Sequence, residues 1–148
     1  MISFAKRLFL CGCATVFTGL TLGSAAVQAE NVGESTLYRD EWGVPYIYGG
    51  DDADAAYALG YAQAQDRLDD IFINMRTGIG RMAEAFGEEH VQSDYIMRLI
   101  KNEEMSASYW EKAPDHLKAV GEAFIRGIEQ YMSEHPEAVP EFALELKP

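Results

Sequence analysis

The chain has 148 residues with 12 Lys and Arg against 24 Asp and Glu, a formal net charge of −12, which repels nucleic acid and other polyanions. Its apolar fraction of 48%, with 11% aromatic residues, excludes an intrinsically disordered chain, and its length suits one small domain rather than two.

The N-terminus has the three-part layout of an export signal. Lys6 and Arg7 give a positive start, Leu8 to Leu22 is apolar or small without a charge, and Val27-Gln28-Ala29 supplies small residues before a cut between Ala29 and Glu30. The reading is therefore a signal peptide over 1–29 and an exported segment over 30–148. The apolar run is shorter than the roughly 20 residues of a membrane-spanning helix, so no membrane association is expected after cleavage. The alternatives are an uncleaved anchor, which lacks a reason for the small-residue exit, and a lipid-attachment box at Leu10-Cys11-Gly12-Cys13, which follows Arg7 too closely. Cys11 and Cys13 are the only cysteines, so the exported segment has no thiol for a disulfide, a nucleophile or a metal.

Ser35 to Asp40 alternates as a strand, Glu41-Trp42-Gly43 is a turn, and Val44 to Tyr48 is a second strand with Pro45 at a strand start or edge. These form an antiparallel hairpin, and a lone hairpin needs a larger sheet to join. Asp51 and Asp52 sit where a helix cap belongs. Tyr57, Tyr61, Ala64, Leu68, Phe72 and Met75 then trace one apolar face of a long helix, with Asp54, Gln63, Asp66, Asp69 and Asp70 opposite. Gly78 and Gly80 weaken its end, the apolar rhythm resumes at Ile79, Met82 and Phe86, and Gly87 marks a stop. His90 to Ile100 is a short helix. Asn102 is placed as the cap of the next, from Glu103 to about Lys112. Pro114 opens a last helix with Leu117, Val120, Phe124, Ile128 and Tyr131 on one face, ended by His135-Pro136. The fold class is mainly α with an N-terminal β-hairpin.

Chemistry-bearing patterns are sparse. His90, His116 and His135 share no metal-ligand spacing, and Glu88-Glu89-His90 lacks the helical histidine pair of a zinc protease. Asp51, Asp52 and Asp54 resemble part of a calcium loop without its later glycine and terminal glutamate, so capping is the better reading. No Gly-x-Ser-x-Gly elbow and no phosphate loop occur.

Three blocks, read together, carry a resemblance: Arg39-Asp40-Glu41-Trp42-Gly43-Val44-Pro45-Tyr46-Ile47-Tyr48; Ala58-Leu59-Gly60-Tyr61-Ala62-Gln63-Ala64-Gln65-Asp66-Arg67-Leu68; and Met75-Arg76 followed by Gly80-Arg81-Met82-Ala83-Glu84-Ala85-Phe86-Gly87. In this order and spacing the chain resembles the N-terminal part of the first chain of the penicillin acylase family. Tyr46 stands where the family usually has histidine and Glu129 where it often has asparagine, which bears on subfamily.

The resemblance implies an N-terminal nucleophile hydrolase of linear amides, with an α+β four-layer (αββα) fold of which this chain is a fragment. It implies an exported precursor that cuts itself, so that a new N-terminal serine attacks the substrate carbonyl with its own α-amine as base. Substrates implied are N-acyl compounds such as β-lactam side chains or acyl-homoserine lactones, and the location implied is periplasmic or secreted. The implied partner is the remainder of the same precursor. No cofactor is expected in this chain, and calcium is implied only for the full-length enzyme.

The family's serine follows a glycine and precedes an asparagine, whereas the only Gly-Ser pair here is Gly23-Ser24, inside the signal. No catalytic, substrate-binding or metal-ligating residue carries over, and this chain is expected to be inactive alone. The blocks read as structural: Arg39, Asp40, Asp66 and Arg67 as buried ion pairs between hairpin and long helix, Tyr61 as core, and Gly43, Pro45, Gly80 and Gly87 as turn and stop positions. The competing readings are a stand-alone acidic helical binding module of the periplasm and a remnant without function.

Overall fold

The structure, a computed structural model, describes residues 28–147. The expected signal peptide lies outside the described residues apart from its last two positions. Three strands form an antiparallel meander in the order β1 (Gln28–Val32), β2 (Ser35–Arg39), β3 (Pro45–Tyr48). The hairpin read from the sequence is thus joined by a third strand. Ala29 and Glu30, at the expected cut, pair with Tyr38 and Leu37. Alternation sends Leu37 and Ile47, which are directly opposite, inward, while Tyr38, Tyr46 and Tyr48 face out.

A 28-residue helix, α1 (Asp52–Ile79), follows, and the Asp51 carboxylate accepts the Asp54 N–H at 2.8 Å as its cap. Two faces of this helix are buried. Ala58, Tyr61 and Ala62 meet Val32 and Leu37 of the sheet. Ala64, Leu68 and Phe72 meet Ile128 of α5 (Asp115–Glu134), with Phe142, Leu144 and Leu146 closing over them. The small alanines on the sheet side let the strands approach closely. Arg67 has non-helical angles (φ −153, ψ 50), so α1 kinks there.

The contact between α1 and α5 is the most extensive in the fold. It is backbone against backbone: a Cβ at Gly60 would overlap the Phe124 carbonyl oxygen, and one at Gly127 would overlap the Tyr57 carbonyl oxygen. Only glycine fits either position.

Between these long helices lie α2 (Ala83–Phe86), a 3-10 turn at Glu88–His90, α3 (Val91–Leu99) and α4 (Asn102–Lys112). Asn102 does not cap α4. Lys101, in the left-handed region at φ 56, occupies the cap position without a side-chain bond, and the Asn102 amide donates to the Gly78 carbonyl at 2.8 Å. That carbonyl lies in the last turn of α1, where no helical partner remains. On the expected face of α5, Ile128 is buried with Phe124 and Tyr131 packed against the core, whereas Leu117 is about half exposed; Ala123 and Gly127 are buried beside them.

Candidate functional site

Two clusters tie the elements together. The first joins sheet to helix. Arg39, at the end of β2, reaches α1, where its guanidinium meets the Asp66 carboxylate at 2.9 Å and donates to Gln65 at 2.7 Å. It also donates to the Gly43 carbonyl at 3.0 Å, so one side chain holds strand, turn and helix. The pair is partly exposed rather than buried, with 22% of the Arg39 side chain and 42% of Asp66 accessible.

Asp40 forms no ion pair among the described residues. Its carboxylate accepts the N–H groups of Trp42 and Val44, both at 2.9 Å, and shapes the turn that Gly43 closes by donating to the Asp40 carbonyl. Arg67, expected in the buried network, points away from it into solvent and meets Asp70 at 3.5 Å. Pro45 is the first residue of β3, where its missing N–H costs no ladder bond.

The second cluster closes the C-terminal end of α1. Gly80 has φ 67, and its N–H bonds to the carbonyls of Arg76 and Thr77. The exposed carbonyls beyond it are taken by side chains: Arg98 donates to Gly80 at 2.8 Å, and Arg76 donates to Arg81 at 2.9 Å and to Phe142 at 2.7 Å. Arg76 is buried, so these bonds satisfy a desolvated cation. Asp94, also buried, accepts the N–H groups of Met82 and Ala83 at 3.0 and 2.8 Å and so caps α2 from another helix.

Glu84 gathers Arg81, Arg98 and Arg76 at 2.7, 3.5 and 3.6 Å. The hydrogen bond from Arg81 holds its carboxyl below the usual carboxylate range, and the charges of all three arginines add to that. Gly87 ends α2 by donating to the Ala83 carbonyl, and Phe86 stacks on Phe142 at 5.0 Å. Asp94 and Arg98 carried no signal in the sequence, since each reads as an ordinary polar position of a short helix.

A third tie is the Tyr61 phenol, which donates to Glu134 at 2.8 Å. Burial, then the bond and the charge of Glu134, push the phenol well above its ordinary value. Gln130 and Tyr61 in turn hold the Glu134 carboxyl low.

A concavity of about 840 Å³ lies between the end of α1, α4, the start of α5 and the C-terminal segment. Met75, Ile79, Trp110, Leu117 and Leu144 give it an apolar lining, and no histidine lines it. Ser106 lies on the rim of this concavity; Ser35 and Ser93 donate to the carbonyls of Asp54 and His90, and Ser108 accepts from Lys112 on the exposed face of α4. None is paired with an imidazole. Among the described residues no three His, Cys, Asp or Glu groups come together to hold a metal ion, and no helix is long and apolar enough to cross a membrane.

In this geometry the named polar side chains serve turns, helix caps and joints between elements. Residues 34–148 match the family model for penicillin amidase. The chain belongs to the penicillin amidase family. It is 32% identical over 97 residues to the penicillin acylase 2 proenzyme of Pseudomonas sp. strain SE83, covering 66% of this chain and 12% of that protein. It is 29% identical over 142 residues to the acyl-homoserine lactone acylase QuiP of Pseudomonas fluorescens Pf0-1, covering 92% of this chain and 17% of that protein. Among solved structures, a thermostable penicillin G acylase from Alcaligenes faecalis has the same fold, with a TM-score of 0.66 at 22% identity over 77% of this chain and 64% of that one. The chain spans less than a fifth of the length of these curated relatives.

Proposed function

We propose that this chain is the N-terminal scaffold part of an exported hydrolase of linear amide bonds, and that the nucleophilic serine comes from polypeptide outside this sequence. The observation that carries the reading is where the three family blocks fall. The first builds the turn and β3, the second the middle of α1, and the third the end of α1 with α2. Arg39 with Asp66 and Arg76 with Arg81 bind one block to another or close one upon itself. The blocks thus build joints; the one hydroxyl–carboxylate contact within them, Tyr46 to Asp40 at 3.4 Å, lies in the exposed turn region.

In the assembled enzyme the sheet joins a four-layer αββα sandwich, and a precursor matures after export to the periplasm by cutting itself. The chemistry proposed is attack of an N-terminal serine on an N-acyl carbonyl, with its own amine as base and oxyanion donors aimed at the developing charge. The substrate class, N-acyl compounds such as β-lactam side chains or acyl-homoserine lactones, follows the names of the relatives. By the same resemblance, any calcium site belongs to the full-length enzyme.

The test has two arms. The reading frame past Pro148 should reach a Gly-Ser-Asn stretch, and a stop codon there sinks the proposal. The 148-residue product, assayed with N-acyl substrates, should show no amide hydrolysis. Turnover abolished by replacing one of its own serines would overturn the assignment of the nucleophile to another segment.

A further inference from the structure

The helix α3 is built inside out. It is seated on the end of α1 by Asp94, Met97 and Arg98, which crowd Gly80, and Asp94 is its only buried residue. Its outer face carries Val91, Tyr95 and Leu99 at helical spacing, 55%, 64% and 65% exposed, and a second row of Ile96 and Ile100 beside them. The only charged residues of α3 are Asp94 and Arg98; Asp94 is buried and accepts backbone N–H groups, while Arg98, its side chain 59% exposed, donates to the Gly80 carbonyl and meets Glu84 on the side toward α1 and α2. The two rows Val91, Tyr95, Leu99 and Ile96, Ile100 themselves carry no charged residue, in a chain of net charge −12. Met105 and Tyr109 of α4 add further exposed apolar surface. Exposed apolar rows of this kind mark a contact surface.

We propose that the outer face of α3 is an internal docking surface of the assembled acylase, covered by the part of the precursor that follows this chain. The proposal rests on the reading of the chain as one part of a longer hydrolase. The amount of polypeptide argues for this occupant, because the curated relatives hold several times the length matched here. Charge argues against the others. A second copy brings another strongly acidic body, and repulsion between copies opposes self-association. An anionic lipid surface repels the chain for the same reason. A neutral apolar face of the same polypeptide meets no such opposition.

The experiment places single cysteines at Tyr95→Cys and Leu99→Cys, in the 148-residue chain and in the full-length product of the same reading frame. Maleimide modification is followed at each site by peptide mass. Glu137→Cys, whose position is 74% exposed, reports reagent access in the short chain. Reaction at 95 and 99 should be fast in the short chain and slower by about tenfold or more in the full-length protein, as expected where access requires local opening. Rates at 95 and 99 in the full-length protein equal to those in urea overturn the proposal, whether or not the short chain is well folded. Protection in the short chain that grows with its concentration also overturns it, in favour of a second copy.

Amide hydrolysis by the full-length protein is scored separately. An active protein with reactive thiols at both sites defeats the docking surface alone. An inactive protein with protected thiols defeats the hydrolase reading alone. In the full-length protein, Ile96→Lys with Leu99→Lys should reduce the yield of assembled product, and an unchanged yield counts against the proposal.

Discussion

Glu84 is the residue on which the third family block turns. Its carboxyl titrates below its ordinary value of 4.5 because Arg81 bonds it, with Arg76 and Arg98 adding charge. A carboxylate held low in the folded state stabilises the fold above its unfolded pKa, and that contribution fades as pH falls through the folded value. Glu84→Gln should therefore lower the thermal midpoint at neutral pH, and the gap to the parent should close below about pH 4.5, as followed by circular dichroism. Glu134 is also held low, so the variant should keep part of the acid sensitivity. Tyr61 has the opposite sign: its phenol is raised, so its share of stability is present below its ordinary value of 10 and is lost above it. Tyr61→Phe should flatten the alkaline side of the same profile. Asp94 is buried and accepts two backbone N–H groups. Asp94→Ala leaves both unpaired and should cost roughly 2–4 kcal/mol, given ~1.5–3 kcal/mol for hydrogen bonds to charged groups. Faster amide exchange at Met82 and Ala83 should accompany that loss.

At the scale of elements, the crossing of α1 and α5 depends on two glycines. A methyl group at Gly127 would overlap the Tyr57 carbonyl, and one at Gly60 the Phe124 carbonyl, so the helices must part before either fits. Overpacking of a close contact costs roughly 1–3 kcal/mol, and a backbone obstacle cannot turn aside as a side chain can. Gly127→Ala should therefore fall at or above the top of that range, whereas Gly43→Ala meets no neighbour within 4 Å and costs only its turn conformation. Thermal midpoints of the two variants decide this; equal small shifts would mean the crossing is not tight.

The sequence shows α1 and α5 because their apolar residues repeat at helical spacing, and it shows β2 and β3 because branched and aromatic residues are set off by a turn. It hides β1, whose Gln-Ala-Glu-Asn-Val is polar and runs into the exit of the export signal. It hides the kink at Arg67, where neither glycine nor proline marks a break. Asn102 has the local chemistry of a cap, yet the Gly78 carbonyl of a distant helix claims its amide. The Arg39–Asp66 joint was legible, since polar groups beside an apolar seam need partners. The capping of one helix by Asp94 of another was not, because no local pattern encodes a partner brought near only by folding.

For the whole molecule, the distribution of apolar surface sets the last expectation. Among the described residues the interior consists of two modest clusters, one under the sheet and one between α1, α5 and the C-terminal segment. Outside them, Tyr46 and Tyr48 of the sheet, Trp42 at its turn and the outer row of α3 remain exposed, Trp42 by 82%. A small domain depends on burying most of its apolar surface, and a three-stranded sheet with one uncovered aromatic face is near the limit of independent stability. The 148-residue product, once exported and purified, should therefore show helical circular dichroism, a broad thermal transition and strong binding of a hydrophobic dye, the signs of secondary structure without firm packing. A sharp transition without dye binding would instead favour the stand-alone acidic module. If the remaining precursor covers these faces, the full-length product should lose the dye signal and melt cooperatively. Persistence of the signal there would show that the exposed tyrosines and the outer row of α3 serve something other than assembly.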